Sequence, residues 1–320
     1  MPLTKIETPK VKTVAVLYGG WSKEQDVSRA SGKACAQALR NKGYEVREIE
    51  VEADLKKLLN DLSDLPDVVF NALHGTGGED GCIQGVLDML GVPYTHSGRL
   101  ASALAMDKQR AKLTVEKAGV QVAEGLVLSA EDIRAGNIPL DPPYVIKPNH
   151  EGSSVGVFII REGDNRLNTV LKNWHFGEAV VERYIPGREL TVSVAGSNNN
   201  DISALTVTEI TSSSGFYDYD AKYKEGGSIH VVPAQVPADV FDTAMDWAVK
   251  SHKALGCQGV TRTDFRYDNS QSGTSGLYYL ETNTQPGMTS TSLVPEQAGY
   301  AGFSFDDLVQ WMVETAACRS

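Results

Sequence analysis

Long apolar runs are missing from this 320-residue chain. None reaches the roughly 20 residues of a membrane span, and Met1–Lys12 is too polar for a signal-peptide core. The expectation is a cytoplasmic protein without a membrane partner. Cysteine is scarce: Cys35, Cys82, Cys257 and Cys318 are scattered, form no CxxC pair, and lie in or beside apolar helical patterns. Such cysteines behave as small hydrophobes, so all four are expected to be reduced and structural. Positive charge is in deficit, with 30 Lys and Arg against 41 Asp and Glu and a formal net charge of −11. That argues against nucleic acid as a partner, which would call for a basic patch. Two nucleotide signatures are absent as well, the Walker A sequence and GxGxxG. Zinc is a poor reading, because His74 has no second histidine at a ligand spacing. His96, His150, His175, His230 and His252 carry no motif and read as structural or surface groups.

What is present is an alternation of strands and helices. Thr13–Leu17 is a short apolar run ending at Gly19 and Gly20, which reads as a buried parallel strand. A helix with Val27, Ala30, Ala34, Ala38 and Leu39 on one face follows and stops at Gly43. Tyr44–Ile49 and Val68–Leu73 are two further strands, and Cys82–Leu90 is a helix closed by Gly91. This first third is expected to be a small parallel α/β unit. A single long helix is predicted over 100–118, ending at Gly119. Beyond it the texture is α+β, with strands at Tyr144–Lys147, Val155–Ile160, Glu178–Tyr184 and Glu189–Ala195 arranged as antiparallel hairpins, and one helix near 165–174. The last third shows a strand near Ser203–Ile210, a helix over 238–255, strands Gly259–Tyr267 and Leu277–Asn283, and a final amphipathic helix over 305–317.

The sharpest constellation lies on the last two strands. Period two puts Arg262 and Asp264 on one face, and Glu281 with Asn283 on one face. If the strands pair, two carboxylates, an amide oxygen and a guanidinium meet. All-oxygen donors suit Mg²⁺ with phosphates completing its shell, and an arginine beside them suits charge that develops during phosphoryl transfer. Read alone, the pattern fits a solvated hairpin face as well. In the polar loop that follows, Gly287 permits close approach, so its amide is a candidate oxyanion donor. A second constellation runs from Lys147 to Gly156, where a strand-end lysine precedes a Gly- and Ser-rich tip that can cover phosphates as a flap; an ordinary turn is the bland alternative. The alternation in Tyr217–Tyr223 fits a plain strand with exposed tyrosines, but the segment lies among glycines, which favours a loop that closes over substrate. His74 and Glu79 sit where a parallel strand ends, the usual ligand edge of such sheets.

Together, Val16–Ser28, Ala72–Gly81, Met106–Lys108, Lys147–Gly156, Phe216–Tyr223, Arg262–Asp264 and Glu281–Leu293 resemble the D-alanine–D-alanine ligase family of the ATP-grasp superfamily, across essentially the whole chain. The resemblance implies α/β and α+β architecture: an N-terminal parallel α/β substrate-binding domain (1–104), a central ATP-grasp domain (105–188) and a C-terminal ATP-grasp domain with lid loop and metal site (189–320). It implies that Lys108 and Lys147 hold the α- and β-phosphates of ATP, with Ser153 and Ser154 in the flap and Lys222 at the γ-phosphate. Glu182 would contact adenine and Glu189 the ribose. Asp264, Glu281 and Asn283 would bind two Mg²⁺ ions, for which Mn²⁺ can substitute. Arg262 and the Gly287 amide would stabilise the tetrahedral intermediate, Glu24 and His74 would hold the first D-alanine, and Ser292 and Leu293 would line the second site. Ser153 and Tyr223 would join Glu24 in one hydrogen-bonded group. The implied product is D-alanyl-D-alanine for peptidoglycan precursors, through a D-alanyl phosphate, made by a homodimer. Ligation to D-lactate or D-serine, or nucleotide binding without catalysis, are the alternatives. Trp21 and Asp220 depart from the family pattern, where threonine and glutamate are expected.

Overall fold

The computed structural model describes residues 3–153, 155–164, 166–196, 201–212 and 227–318. Ser154, Asp220, Lys222 and Tyr223 therefore lie outside the described residues, as does all of Tyr217–Tyr223.

The first apolar run becomes β1 (Thr13–Gly19), buried from Val14 onward because neighbours flank it on both edges. It pairs in parallel with β2 (Glu45–Val51) and β3 (Val68–Asn71), giving the order β2-β1-β3. The connecting helices are α1 (Gln25–Asn41), α2 (Leu55–Asp61) and α3 (Cys82–Leu90). Seven residues are too few to carry a clear apolar period, so α2 escaped the sequence reading; the Asp54 carboxylate caps it by accepting from the Lys57 amide. The helix expected over 100–118 is two helices, α4 (Arg99–Met106) and α5 (Lys108–Lys117). Asp107 breaks them. Its backbone is extended (φ −81°, ψ 96°), and its side chain caps α5 by accepting from the Arg110 amide at 3.0 Å.

The middle of the chain forms an antiparallel sheet of order β4-β7-β5-β6. Its strands are β4 (Gly125–Leu128), β5 (Tyr144–Pro148), β6 (Phe158–Ile160) and β7 (Ala179–Arg183), with α6 (Ala130–Ala135) and α7 (Leu167–Lys172) packed on it. A third sheet, antiparallel throughout, has the order β10-β9-β8-β11-β12. It comprises β8 (Arg188–Gly196), β9 (Ser203–Ser212), β10 (Ser228–Val231), β11 (Gly259–Tyr267) and β12 (Leu277–Asn283). The hairpin expected of Glu178–Tyr184 with Glu189–Ala195 is not formed, and the Pro186–Gly187 connection is a crossing between sheets. Gly187 makes it feasible: its φ is +93°, and a Cβ there would lie 2.2 Å from the Tyr267 carbonyl oxygen. Helices α8 (Ala238–Ala254), α9 (Leu293–Tyr300) and α10 (Phe305–Glu314) complete the chain.

The cores do not follow chain order. Leu308, Val309, Trp311 and Met312 of α10 pack with Val14, Val16, Leu39 and Phe70, so the C-terminal helix closes the N-terminal sheet. Ala101, Ala111 and Val115 of α4 and α5 pack with Val192, Phe265 and Tyr279 of the third sheet. The cysteine expectation needs a correction. All four are free, and Cys35 and Cys257 are buried, but Cys82 and Cys318 are exposed, because one opens α3 and the other follows α10. No helix among the described residues is long and apolar enough to cross a membrane.

Candidate active site

Strands β11 and β12 pair so that Arg262 faces Asn283 and Asp264 faces Glu281. Arg262 grips Asp264 with a fork, Nε to Oδ1 at 2.9 Å and Nη2 to Oδ2 at 2.8 Å. From β8 the Thr191 hydroxyl donates to the same Oδ1 at 2.6 Å. Glu281 lies 3.8 Å from the Lys108 ammonium, and the Asn283 side-chain oxygen accepts from the Gln285 amide at 2.8 Å. No group of three or more His, Cys, Asp or Glu among the described residues is poised to hold a metal unaided. Two carboxylates and an amide oxygen are the donor set of a Mg²⁺ ion that arrives with phosphates and keeps waters, so the residues fit that ion.

The N-terminal sheet brings the other half. Glu24 precedes α1 and His74 follows β3, both buried. Burial lowers the His74 pKa, Glu24 works against that, and Arg262 adds to the lowering. The Ser153 hydroxyl donates to Glu24 Oε1 in a short contact, joining the flap to α1. Ser153 sits at φ +49°, a left-handed conformation unusual for a non-glycine residue, and a Cβ at Gly152 would lie 3.1 Å from Glu24 Oε2. Glu79 is buried with its Oε1 accepting from the Gly75 amide at 2.8 Å; burial, then the Glu24 charge, push it up to about 8. A Cβ at Gly287 would come within 3.1 Å of Ser292 Oγ, which already accepts from the Thr289 amide at 3.0 Å.

These groups line two adjoining cavities. The first takes Glu24, His74, Ser153, Arg262, Asn283 and Gly287 in its wall, with Ser292 and Leu293 at one side. The second is walled by Lys147, Glu182, Glu189 and Asp264, and by apolar Val145, Val157 and Ile159. Lys108, Glu151, Gly152 and Glu281 border both. In the second cavity Lys147 Nζ lies 2.6 Å from Glu182 Oε1, while Lys112 Nζ donates to Oε2 in a short contact. Although burial opposes ionisation, the two ammonium groups hold Glu182 down at about 2. Lys112 itself is pushed down to about 8 by burial, with Lys147 adding to the effect. Glu189 pairs with Arg266 at 3.3 Å.

Every described candidate thus borders one cavity or the other. Sequence reasoning missed Lys112, Thr191 and Gln285. Lys112 carried a signal, since it stands four positions after Lys108 on one helix face. Gln285 lies in the matched segment Glu281–Leu293, at a position before the proline where the family varies, but its contacts were not foreseen: its amide donates to the Leu73 carbonyl and its oxygen accepts from Asn71 at 2.8 Å, tying the Gly287 loop to the N-terminal sheet.

Residues 115–314 match the family model described as D-ala D-ala ligase C-terminus, and residues 52–97 match D-ala D-ala ligase N-terminus. The D-alanine–D-alanine ligase of Granulibacter bethesdensis is 54% identical over 311 residues, covering 97% of this chain and 99% of that protein. The enzyme of that name from Parvibaculum lavamentivorans is 54% identical over 312 residues, with 97% and 99% covered. Among solved structures, the VanG D-Ala:D-Ser ligase from Enterococcus faecalis superposes with a TM-score of 0.78 at 30% identity, covering 95% of this chain and 99% of that one. The D-alanine–D-alanine ligase from Bacillus anthracis complexed with ATP gives 0.77 at 30% identity, covering 96% and 97%.

Proposed function

The chain belongs to the D-alanine–D-alanine ligase family, and from that premise we propose how its own residues carry out the reaction. It is an ATP-dependent ligase of the ATP-grasp fold that joins two D-alanine molecules into the dipeptide used for peptidoglycan. Adenosine occupies the second cavity, with adenine among Val145, Val157 and Ile159, its exocyclic amine toward Glu182 and the ribose toward Glu189. The phosphates extend past Lys147 and Lys108 to the border with the first cavity, where Lys222 meets the γ-phosphate and Ser153 and Ser154 cover it. Asp264, Glu281 and Asn283 would hold two Mg²⁺ ions, or Mn²⁺ in their place, which would neutralise phosphate charge.

The first D-alanine sits in the other cavity with its ammonium at Glu24 and with His74 beside it. Its carboxylate oxygen attacks the γ-phosphorus in line, the bond to ADP breaks, and D-alanyl phosphate forms. The second D-alanine lies against Ser292 and Leu293. Its amine, once deprotonated, attacks the acyl carbon; the tetrahedral oxyanion is met by Arg262 and the Gly287 amide, and phosphate departs. Glu24, Ser153 and Tyr223 bind the flap and lid to the N-terminal sheet, excluding water that would hydrolyse the acyl phosphate. The presence of Tyr223 favours the amine over D-lactate as second substrate. The division into 1–104, 105–188 and 189–320, a cytoplasmic site of action and a homodimer complete the reading.

The observation that carries it is the β11–β12 register, which sets Arg262, Asp264, Glu281 and Asn283 together at the border of the two cavities. The test is phosphate release from ATP and Mg²⁺ with D-alanine, L-alanine, D-serine or D-lactate added, with products identified by mass. Release that requires D-alanine and yields D-alanyl-D-alanine is expected. A depsipeptide formed in preference from D-alanine plus D-lactate would overturn the role of Tyr223. ATP binding without any stimulated turnover would overturn the assignments of Glu24 and His74.

A further inference from the structure

We infer that Lys112 is a positioning residue for ATP: from behind the cavity wall it keeps Glu182 paired, which releases Lys147 to the phosphates. The inference rests on the reading that ATP fills the second cavity with Lys147 at its phosphates. Three side chains carry it. Lys112, Lys147 and Glu182 are 4%, 6% and 3% exposed, so all three charges are largely withdrawn from bulk water. Glu182 gives one oxygen to each lysine, Oε1 to Lys147 and Oε2 to Lys112. The two lysines are not equivalent. Lys147 lies on β5, beside Glu182 on β7, and both border the cavity; Lys112 comes from α5 and does not border it.

That asymmetry has an energetic consequence. A buried carboxylate stripped of its counter-charge is strongly destabilising. If Lys147 were the only partner of Glu182, ATP would have to compete with that carboxylate for the ammonium. Lys112 removes the competition. With its charge fixed on Oε2, Lys147 can turn to phosphate and leave a paired glutamate behind. Oε1 is then open to the cavity on an ionised carboxylate, which accepts hydrogen bonds and donates none. Such a group suits the exocyclic amine of adenine and disfavours the carbonyl that guanine carries in its place. One anion held between two cations is thus an arrangement from which one cation can be lent.

The experiment compares the full chain with Lys112→Met, Glu182→Gln and the double variant. Steady-state phosphate release is measured at saturating D-alanine with ATP and with GTP. Lys112→Met leaves the neutral Glu182–Lys147 pair in place, so the variant is expected to fold, as thermal melting will report. Its KM for ATP should rise about tenfold or more, the scale of one charge-assisted hydrogen bond, while kcat at saturating ATP moves far less. Adding Glu182→Gln to Lys112→Met frees Lys147 and should lower that KM again, a coupling that independent defects would not give. An ATP KM for Lys112→Met within twofold of the parent overturns the inference, and so does a double variant whose losses simply multiply. If the parent chain itself gives no D-alanine-dependent phosphate release, the functional reading falls and takes the inference with it; a normal parent beside an unaffected Lys112→Met sinks the inference alone.

Discussion

Asp264 illustrates how much one residue can do for its neighbour. Its two oxygens are spanned by the Arg262 fork, and Thr191 fixes one of them from a third strand. The guanidinium is thereby held in place before any substrate arrives, and pre-placed charge is what stabilises a transition state most. Arg262→Ala should therefore lower kcat by about a hundredfold or more, while ATP affinity measured by calorimetry stays within a few-fold. Asp264 stays in place for the Mg²⁺ we propose it holds, so nucleotide binding should lose little. A variant with near-normal turnover would take Arg262 out of the mechanism. Arg262, Asp264, Glu281 and Asn283 were legible in the sequence because two short strands each carry their polar groups two apart. Thr191 was not. It meets Asp264 across 73 residues, and nothing in its own strand marks it among the other threonines. Lys112 was half legible: its helix face could be read, but not that its partner lies 70 residues away.

Among the elements, those read correctly have strong local signals, such as the glycine ending α3 or the apolar opening of β1. The break between α4 and α5 was hidden because apolar positions keep helical spacing on both sides of Asp107. A capping aspartate in mid-pattern looks like an ordinary helical residue until its backbone is seen. The step from β7 to β8 was hidden for another reason, since a short turn reads alike whether the strands pair or part. The contact of α8 with β11 offers an element-scale test. His252 is buried, with Nδ1 2.8 Å from the Thr261 hydroxyl and with Nε2 lacking a hydrogen-bond partner among the described residues. Burial, then the Lys253 charge, lower its pKa from 6.5 to about 4. Between those values the unfolded chain binds more protons than the folded one, so this site's stabilisation is present above pH 6.5 and lost as pH falls toward 4. His252→Leu orphans the Thr261 hydroxyl and should cost about 1–3 kcal/mol at pH 7.5. Urea unfolding at pH 7.5 and again at pH 5 should show the gap to the parent narrowing in acid. An unchanged gap would mean that His252 does not titrate in that window.

For the whole molecule, the question is which parts can stand alone. The motifs divide the chain at 104 and 188, and chain order suggests three independent units. The packing argues otherwise for the first. One face of the β2-β1-β3 sheet is covered by α1 together with α10, whose Leu308, Val309, Trp311 and Met312 are all buried there. Glu314, at the end of α10, accepts from the amides of Lys10 and Val11 and from the Tyr44 hydroxyl. An isolated 1–104 fragment would leave Val14, Val16 and Phe70 without that cover, and a small sheet cannot meet its ordering entropy with half a core. The fragment is expected to show no cooperative thermal transition by circular dichroism, whereas the full chain should melt cooperatively. Trp311→Ala in the full chain should cost about 3–5 kcal/mol, although Trp311 lies more than 200 positions from the strands it covers. A fragment 1–104 that melts cooperatively would show that the sheet carries its own core. The expected outcome has a functional corollary. Glu24 and His74 are placed by α1 and β3, the very elements that α10 holds, so the pocket we propose for the first amino acid depends on α10. Loosening α10 with Trp311→Ala should then raise the KM for D-alanine before it raises that for ATP, and an equal rise in both would place the damage in the molecule at large.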